Sequence, residues 1–267
     1  MTGQDTFISH LVELRQRLVR SLAAVLIVLL PILPFASELY DLLAYPMMRA
    51  LPEGTKMIAT GVVTPFLVPM KVAIAVAFMV ALPYVLYQLW SFVAPGLYAH
   101  ERKLMLPLVV ISYVLFFIGM AFCYFFVFGT VFQFVYKIAP KSISVAPDID
   151  NYLSFVLSMF LAFGVTFEVP VVVVLLVKFG IVSIEKLKEV RSYVIVGAFV
   201  VAAIVTPPDV VSQLLLAIPM CLLYEVGILF ARFVEKQASV EPAAEDHKPL
   251  DAGAAENELD KAERGER

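Results

Sequence analysis

Residues 152–177 run for 26 positions with Glu168 as their only charged side chain. About 20 apolar residues in a helix cross the hydrocarbon of a bilayer, so this run is long enough to span one. In hydrocarbon the backbone must satisfy its own hydrogen bonds, which a helix does within a single segment. A carboxylate inside such a helix is costly to desolvate. That leaves two readings of Glu168: a functional group, or a structural residue that is protonated or hydrogen-bonded to a neighbouring helix. Pro170 lies two positions on. It has no N–H, so the carbonyl of Thr166 loses its helical partner, and the spacing predicts a kink beside the carboxylate.

The pattern recurs. Six apolar segments cover about residues 21–35, 72–92, 105–131, 152–177, 193–205 and 210–230. A chain that is 61% hydrophobic and only 16% charged is not a water-soluble domain. The expected fold is an all-α polytopic membrane protein with six transmembrane helices. Loops alternate in charge. The N-terminal side holds eleven bases near span ends (Arg15, Arg17, Arg20, Arg102, Lys103, Lys178, Lys186, Lys188, Arg191, Arg232, Lys236), and the opposite loops hold five. The excess places both termini in the cytoplasm. The fifth segment has thirteen residues. At about 1.5 Å per residue it covers about 20 Å of a core about 30 Å thick. Thr206, Pro207, Pro208 and Asp209 then turn the chain back, so the two final spans are expected to be short.

Three regions follow. Residues 1–20 should form a cytoplasmic amphipathic helix, with Phe7, Leu11, Leu14 and Leu18 on one stripe and His10, Glu13 and Arg17 on another. Residues 21–232 hold the spans and outer loops that cap them; Pro46 should fix a bend in that cap, and Asp209 should cap the last helix. Residues 233–267 should be a disordered acidic tail: from 235 on there are ten Asp or Glu, five Lys or Arg and no aromatic residue. Ending the chain after Gln237 should leave expression and activity intact. An inactive but normally expressed truncation would overturn this.

Catalytic patterns are missing. There is no HExxH, no G-x-S-x-G, no glycine-rich phosphate loop and no histidine in an apolar segment. Glu168 has no second carboxylate at comparable depth, and Cys123 and Cys221 lie inside apolar runs as packing residues. An enzyme, a cofactor, a metal and a nucleic-acid partner are therefore not expected. A proton-coupled small-solute secondary transporter using Glu168 is an alternative, because its kinked helix is like the broken helices of such proteins. Against it stand the lack of an evident 3+3 repeat and of a second intramembrane charge.

Four motifs occur in order. The N-terminal helix reads His10-Leu11-Val12-Glu13-Leu14-Arg15-Gln16-Arg17, and the next loop on that side reads Trp90-Ser91-Phe92-Val93-Ala94-Pro95-Gly96-Leu97, then His100-Glu101-Arg102-Lys103. The fourth span contains Phe163-Gly164 and Phe167-Glu168-Val169-Pro170, and the last outer turn reads Thr206-Pro207-Pro208-Asp209-Val210-Val211-Ser212-Gln213. From about residue 7 to about residue 233 the chain resembles the TatC family, the six-span core subunit of the twin-arginine protein translocase. The resemblance implies a receptor and scaffold for folded proteins whose signal peptides carry two consecutive arginines. It also implies TatB-like and TatA-like single-span partners, self-association in a larger complex, and energy from the proton-motive force.

Carboxylates at a membrane surface match the planar forks of two arginines. Glu13 and Glu101 are the candidates, flanked by Arg15, Arg17 and Arg102, with Phe92 offering apolar contact to the signal peptide. An exposed ion pair contributes only about 0–1 kcal/mol, so apolar contact has to supply the rest. Glu168 then contacts a polar group on a partner helix. The resemblance also places partner docking at Thr206, Ser212 and Gln213. The other reading of those three is that they only hydrogen-bond the tight turn.

Overall fold

A computed structural model describes residues 3–51, 56–93, 105–140, 146–206 and 209–238. Helix α1 (Gly3–Ile32) passes through a single 3-10 turn (Leu33–Phe35) into α2 (Ala36–Ala50). Helix α3 is Thr64–Val93. Helix α4 (Met105–Phe122) continues through a π-helical segment (Cys123–Val127) into α5 (Phe128–Ile138). Helices α6 (Ile149–Phe167) and α7 (Val169–Lys178) are followed by α8 (Ile184–Glu189), α9 (Arg191–Val205) and α10 (Val210–Ala238).

Among the described residues, five helical stretches are long and apolar enough to cross a membrane: Leu11–Arg49, Thr64–Phe92, Leu106–Ile138, Ile149–Lys178 and Val210–Phe233. Helix α9, at 15 residues, supplies the remaining short span, the fifth in chain order. Of the two final spans expected to be short, only this one is. Helix α10 keeps Pro219 inside it and carries 24 residues of span, because it runs past the apolar core before ending at Ala238. The N-terminal amphipathic helix and the first span form one unbroken rod, since no residue between Gly3 and Pro31 stops a helix. Residues 239–267, most of the acidic tail, lie outside the described part of the chain.

The expected break at Glu168 is present. Helix α6 stops at Phe167, Glu168 takes φ −76° and ψ −16°, and α7 restarts with Pro170 in its first turn. The Val172 N–H picks up the Glu168 carbonyl at 3.0 Å, so the backbone remakes its ladder one step on. At the far end of α7, Gly180 takes φ +66°, a conformation that costs glycine nothing, and its N–H closes the helix on Val177.

Packing explains the arrangement. Helix α1 lies chiefly along α3, α4 along α6, and α10 along both α7 and α9. The main core is aromatic: Phe116, Phe128, Phe132, Phe160 and Phe163 are buried together with Leu216 and Met159. Two glycines make the α4–α6 crossing close. A Cβ on Gly119 would stand 2.5 Å from the Phe163 carbonyl oxygen, and one on Gly164 would strike the Phe116 ring. Small residues at such crossings let backbones approach where hydrocarbon gives no hydrophobic drive. Cys123 is buried and Cys221 half-buried, both as free thiols. Pro46 sits inside α2, whose helix continues past it to Ala50.

The segments that lead into α3 and α6 are clasped by one carboxylate. Asp148 Oδ1 caps α6 by accepting from the Asp150 and Asn151 N–H groups at 3.0 and 3.1 Å. Its Oδ2 accepts from the Thr60 hydroxyl at 2.8 Å and the Thr60 N–H at 3.1 Å. Beside it Ile58 forms a two-way bridge, donating to Pro147 O at 3.0 Å and accepting from Ile149 N–H at 2.9 Å. The Asn151 N–H, then Thr60 and the other donors, hold the Asp148 carboxyl below the usual carboxylate range. A depressed carboxyl stabilises the fold above its unfolded value, about 3.9, and that contribution is lost as pH falls through its lower folded value. The protection factors of the Ile58 and Ile149 amides, exchange relative to the unstructured rate at the same pH, should therefore fall on acidification below about pH 4. In Asp148→Asn these protection factors should be low throughout and change little with pH. Protection that is flat with pH in the wild type would contradict the clasp.

Candidate functional site

The sequence-expected residues fall in three places. The first is the face that carries the N-terminus. Glu13 and Arg17 are four apart on α1, one turn of the same face. Arg17 Nη2 and Nε both reach Glu13 Oε1, at 2.6 and 3.0 Å. Arg17 Nη1 then contacts Oε1 of Gln88 on α3 at 3.4 Å. Gln88 is 5% exposed, so a buried amide anchors the arginine, and the arginine fixes the carboxylate. Both contacts converge on Oε1; among the described residues none is made to Glu13 Oε2. Arg15 is exposed on the helix and Phe92 is half-buried at the end of α3. Glu101 and Arg102 lie outside the described residues.

The second place is the α6–α7 break. Both Glu168 oxygens are buried, and among the described residues neither has a hydrogen bond of ordinary geometry, as is also true of Thr166 Oγ1. Ser112 on α4 is the side chain placed to donate to Glu168. Its own Oγ accepts from Trp90 Nε1 at 3.2 Å, two positions from Phe92. A line of polar groups thus leads from the end of α3 to the intramembrane carboxylate. Helix α10 crosses just beyond it: a Cβ on Gly227 would stand 3.0 Å from Pro170 Cα.

The third place is the α9–α10 turn. Asp209 Oδ1 accepts from the Ser212 N–H at 2.7 Å, which caps α10. Thr206 Oγ1 bonds back to Ala202 O at 2.8 Å, and Gln213 Nε2 reaches across to Phe199 O at 3.2 Å. So Thr206 and Gln213 serve the hairpin itself, while the buried Ser212 Oγ has no partner among the described residues. Among the described residues no hydrogen bond joins this cluster to Glu168. The sequence reading missed Gln88, Ser112 and Asp148. Gln88 and Ser112 are isolated polar residues in apolar runs, a signal of the same kind that marked Glu168.

Among the described residues, five long apolar helices and one shorter one define a polytopic all-α membrane protein. The family model described as Sec-independent protein translocase protein (TatC) matches residues 9–219. The TatC protein of Escherichia coli strain K12 is 51% identical over 235 residues, covering 87% of this chain and 91% of that one. The TatC protein of Halothiobacillus neapolitanus is 50% identical over 261 residues, covering 98% of this chain and 71% of its own length. A crystal structure described as the twin arginine translocase receptor TatC superposes with a TM-score of 0.74 at 38% identity, covering 85% of this chain and 99% of that one. The chain belongs to the TatC family. It is a multi-pass component of a protein translocase, which sets aside the solute-transporter alternative.

Proposed function

We propose that this chain is the receptor and scaffold subunit of twin-arginine translocation, with both termini in the cytoplasm of a bacterial inner membrane. Its N-terminal face binds signal peptides that carry two consecutive arginines. Glu13 and Glu101 accept the guanidinium groups, and Phe92 packs on the apolar part of the peptide. Arg15, Arg17 and Arg102 orient those carboxylates and keep the empty site from collapsing onto other cations. TatB-like and TatA-like single-span proteins assemble against the membrane face near the α6–α7 break and the α9–α10 turn. The buried Glu168 and Ser212 side chains, without a partner among the described residues, meet polar groups of those helices when the packing around them opens. Thr206 and Gln213 hold the hairpin that presents them. The proton-motive force drives transport, and the chain itself catalyses no reaction.

The observation that carries this reading is the Gln88–Arg17–Glu13 network. A carboxylate held in one geometry, with Oε2 left for a donor, pays less ordering entropy when a guanidinium arrives. The test is photocrosslinking of a twin-arginine signal peptide to membranes containing the full complex. Glu13→Ala and Glu101→Ala at equal expression should each reduce the crosslink about tenfold or more, the cost of leaving a charged hydrogen-bonding partner unpaired. An undiminished crosslink in both variants would sink the assignment.

A further inference from the structure

Ser112, Phe116 and Gly119 fall at i, i+4 and i+7, on one face of α4. That face crosses α6 closely, Gly119 against the Phe163 carbonyl and the Phe116 ring against Gly164. One turn nearer Met105, the same face brings Ser112 to the α6–α7 break, with its hydroxyl toward Glu168. Ser112 is fully buried. A helical hydroxyl shut away from water ordinarily bonds back to its own i−4 carbonyl. Thr130 and Thr206 do so, each at 2.8 Å. Ser112 makes no such bond among the described residues. Its oxygen accepts from Trp90 Nε1 on α3 at 3.2 Å. An indole N–H only donates, so the single Ser112 proton is left for another acceptor. Glu168 offers that acceptor. The residue as a whole is half-buried, yet both carboxyl oxygens are sealed. The exposed part is stem and backbone, so the head is turned into the bundle.

We propose that Ser112, steadied by Trp90, is a positioning residue that holds the Glu168 carboxyl inside the bundle until a polar side chain of a partner helix competes for it. The hold stands on the meeting of α3, α4 and the α6–α7 break. The competition rests on the partner contact proposed above. Strength fits the task. A polar contact between helices in a membrane is worth about threefold in an equilibrium, enough to bias a side chain and weak enough to yield to a second donor.

Two measurements test this. The first records the Glu168 carboxyl resonance on the full chain in bilayers with isotope-labelled glutamate, identified by its loss in Glu168→Gln. The resonance should shift in Ser112→Ala, and shift the same way by less in Trp90→Phe. The double variant should match Ser112→Ala alone, because the indole acts only through the hydroxyl. An unmoved resonance in Ser112→Ala, or additive shifts in the double variant, would overturn the proposal. The second is disulfide crosslinking of a single-span partner helix to Val165→Cys, an exposed position beside the break, in membranes containing the full complex. Glu168→Leu should lower that crosslink, and Ser112→Ala should raise it about threefold. If Glu168→Leu lowers it and Ser112→Ala does not raise it, the competition is wrong. If neither variant changes it while the resonance shifts as expected, the partner contact falls and the hold stands.

Discussion

Replacing Gly119 with valine is expected to be among the most damaging single changes in this fold. Its Cβ would stand 2.5 Å from the Phe163 carbonyl oxygen and 2.9 Å from the Phe167 ring. The carbonyl is main chain and cannot rotate away. Helices α4 and α6 would have to separate, and the Phe116–Gly164 contact on the same crossing would open with them. Overpacking of this kind costs about 3 kcal/mol at the upper end of its usual range, roughly a hundredfold in the folding equilibrium. Thermal unfolding in detergent should show a large fall in Tm, with loss of folded yield. Gly129→Ala and Gly197→Ala are the controls. A Cβ at either position meets nothing within 4 Å, so exchange for a better helix former should be neutral or stabilising by up to about 1 kcal/mol. If Gly119→Val unfolds no more readily than these two, the close crossing is wrong.

The second large effect is expected at Arg17. Arg17→Ala frees the Glu13 carboxylate and strips the buried Gln88 amide of its contact. An unsatisfied buried polar group costs about 1–3 kcal/mol, and the loosened carboxylate should weaken signal-peptide crosslinking about tenfold. The two consequences separate in a double variant. Adding Gln88→Leu to Arg17→Ala replaces the orphaned amide with an apolar side chain of similar size. Stability should return toward the wild type while crosslinking stays low, because Glu13 is still unfixed. Crosslinking that recovers together with stability would show that Arg17 acts only on the fold.

Much of the architecture was legible in the sequence because hydrocarbon is an unforgiving solvent for a backbone. Long apolar runs had to be helices, and Pro170 had to interrupt one. Asp209, ahead of an apolar run, sits where an N-cap is needed, and its carboxylate accepts from the Ser212 N–H. The length of α10 was misjudged because the apolar run ends before the helix does: polar residues near the membrane surface continue it to Ala238. The continuation of the third span through the π-helical turn to Ile138 was hidden for a similar reason. Gln133 and Tyr136 interrupt the apolar run, while the helix carries on.

What the sequence by itself determined is therefore one-dimensional: which segments are apolar enough to cross and where they break. What only the tertiary structure decided is which polar groups meet. Arg17 and Gln88 are 71 residues apart, and Thr60 and Asp148 are 88 apart. The reason is physical. A span that is apolar on every side carries no stripe to say which face turns inward. Helix rotation and register are then set by close packing, at Gly119, Gly164 and Gly227, and by the few polar side chains that must find one another.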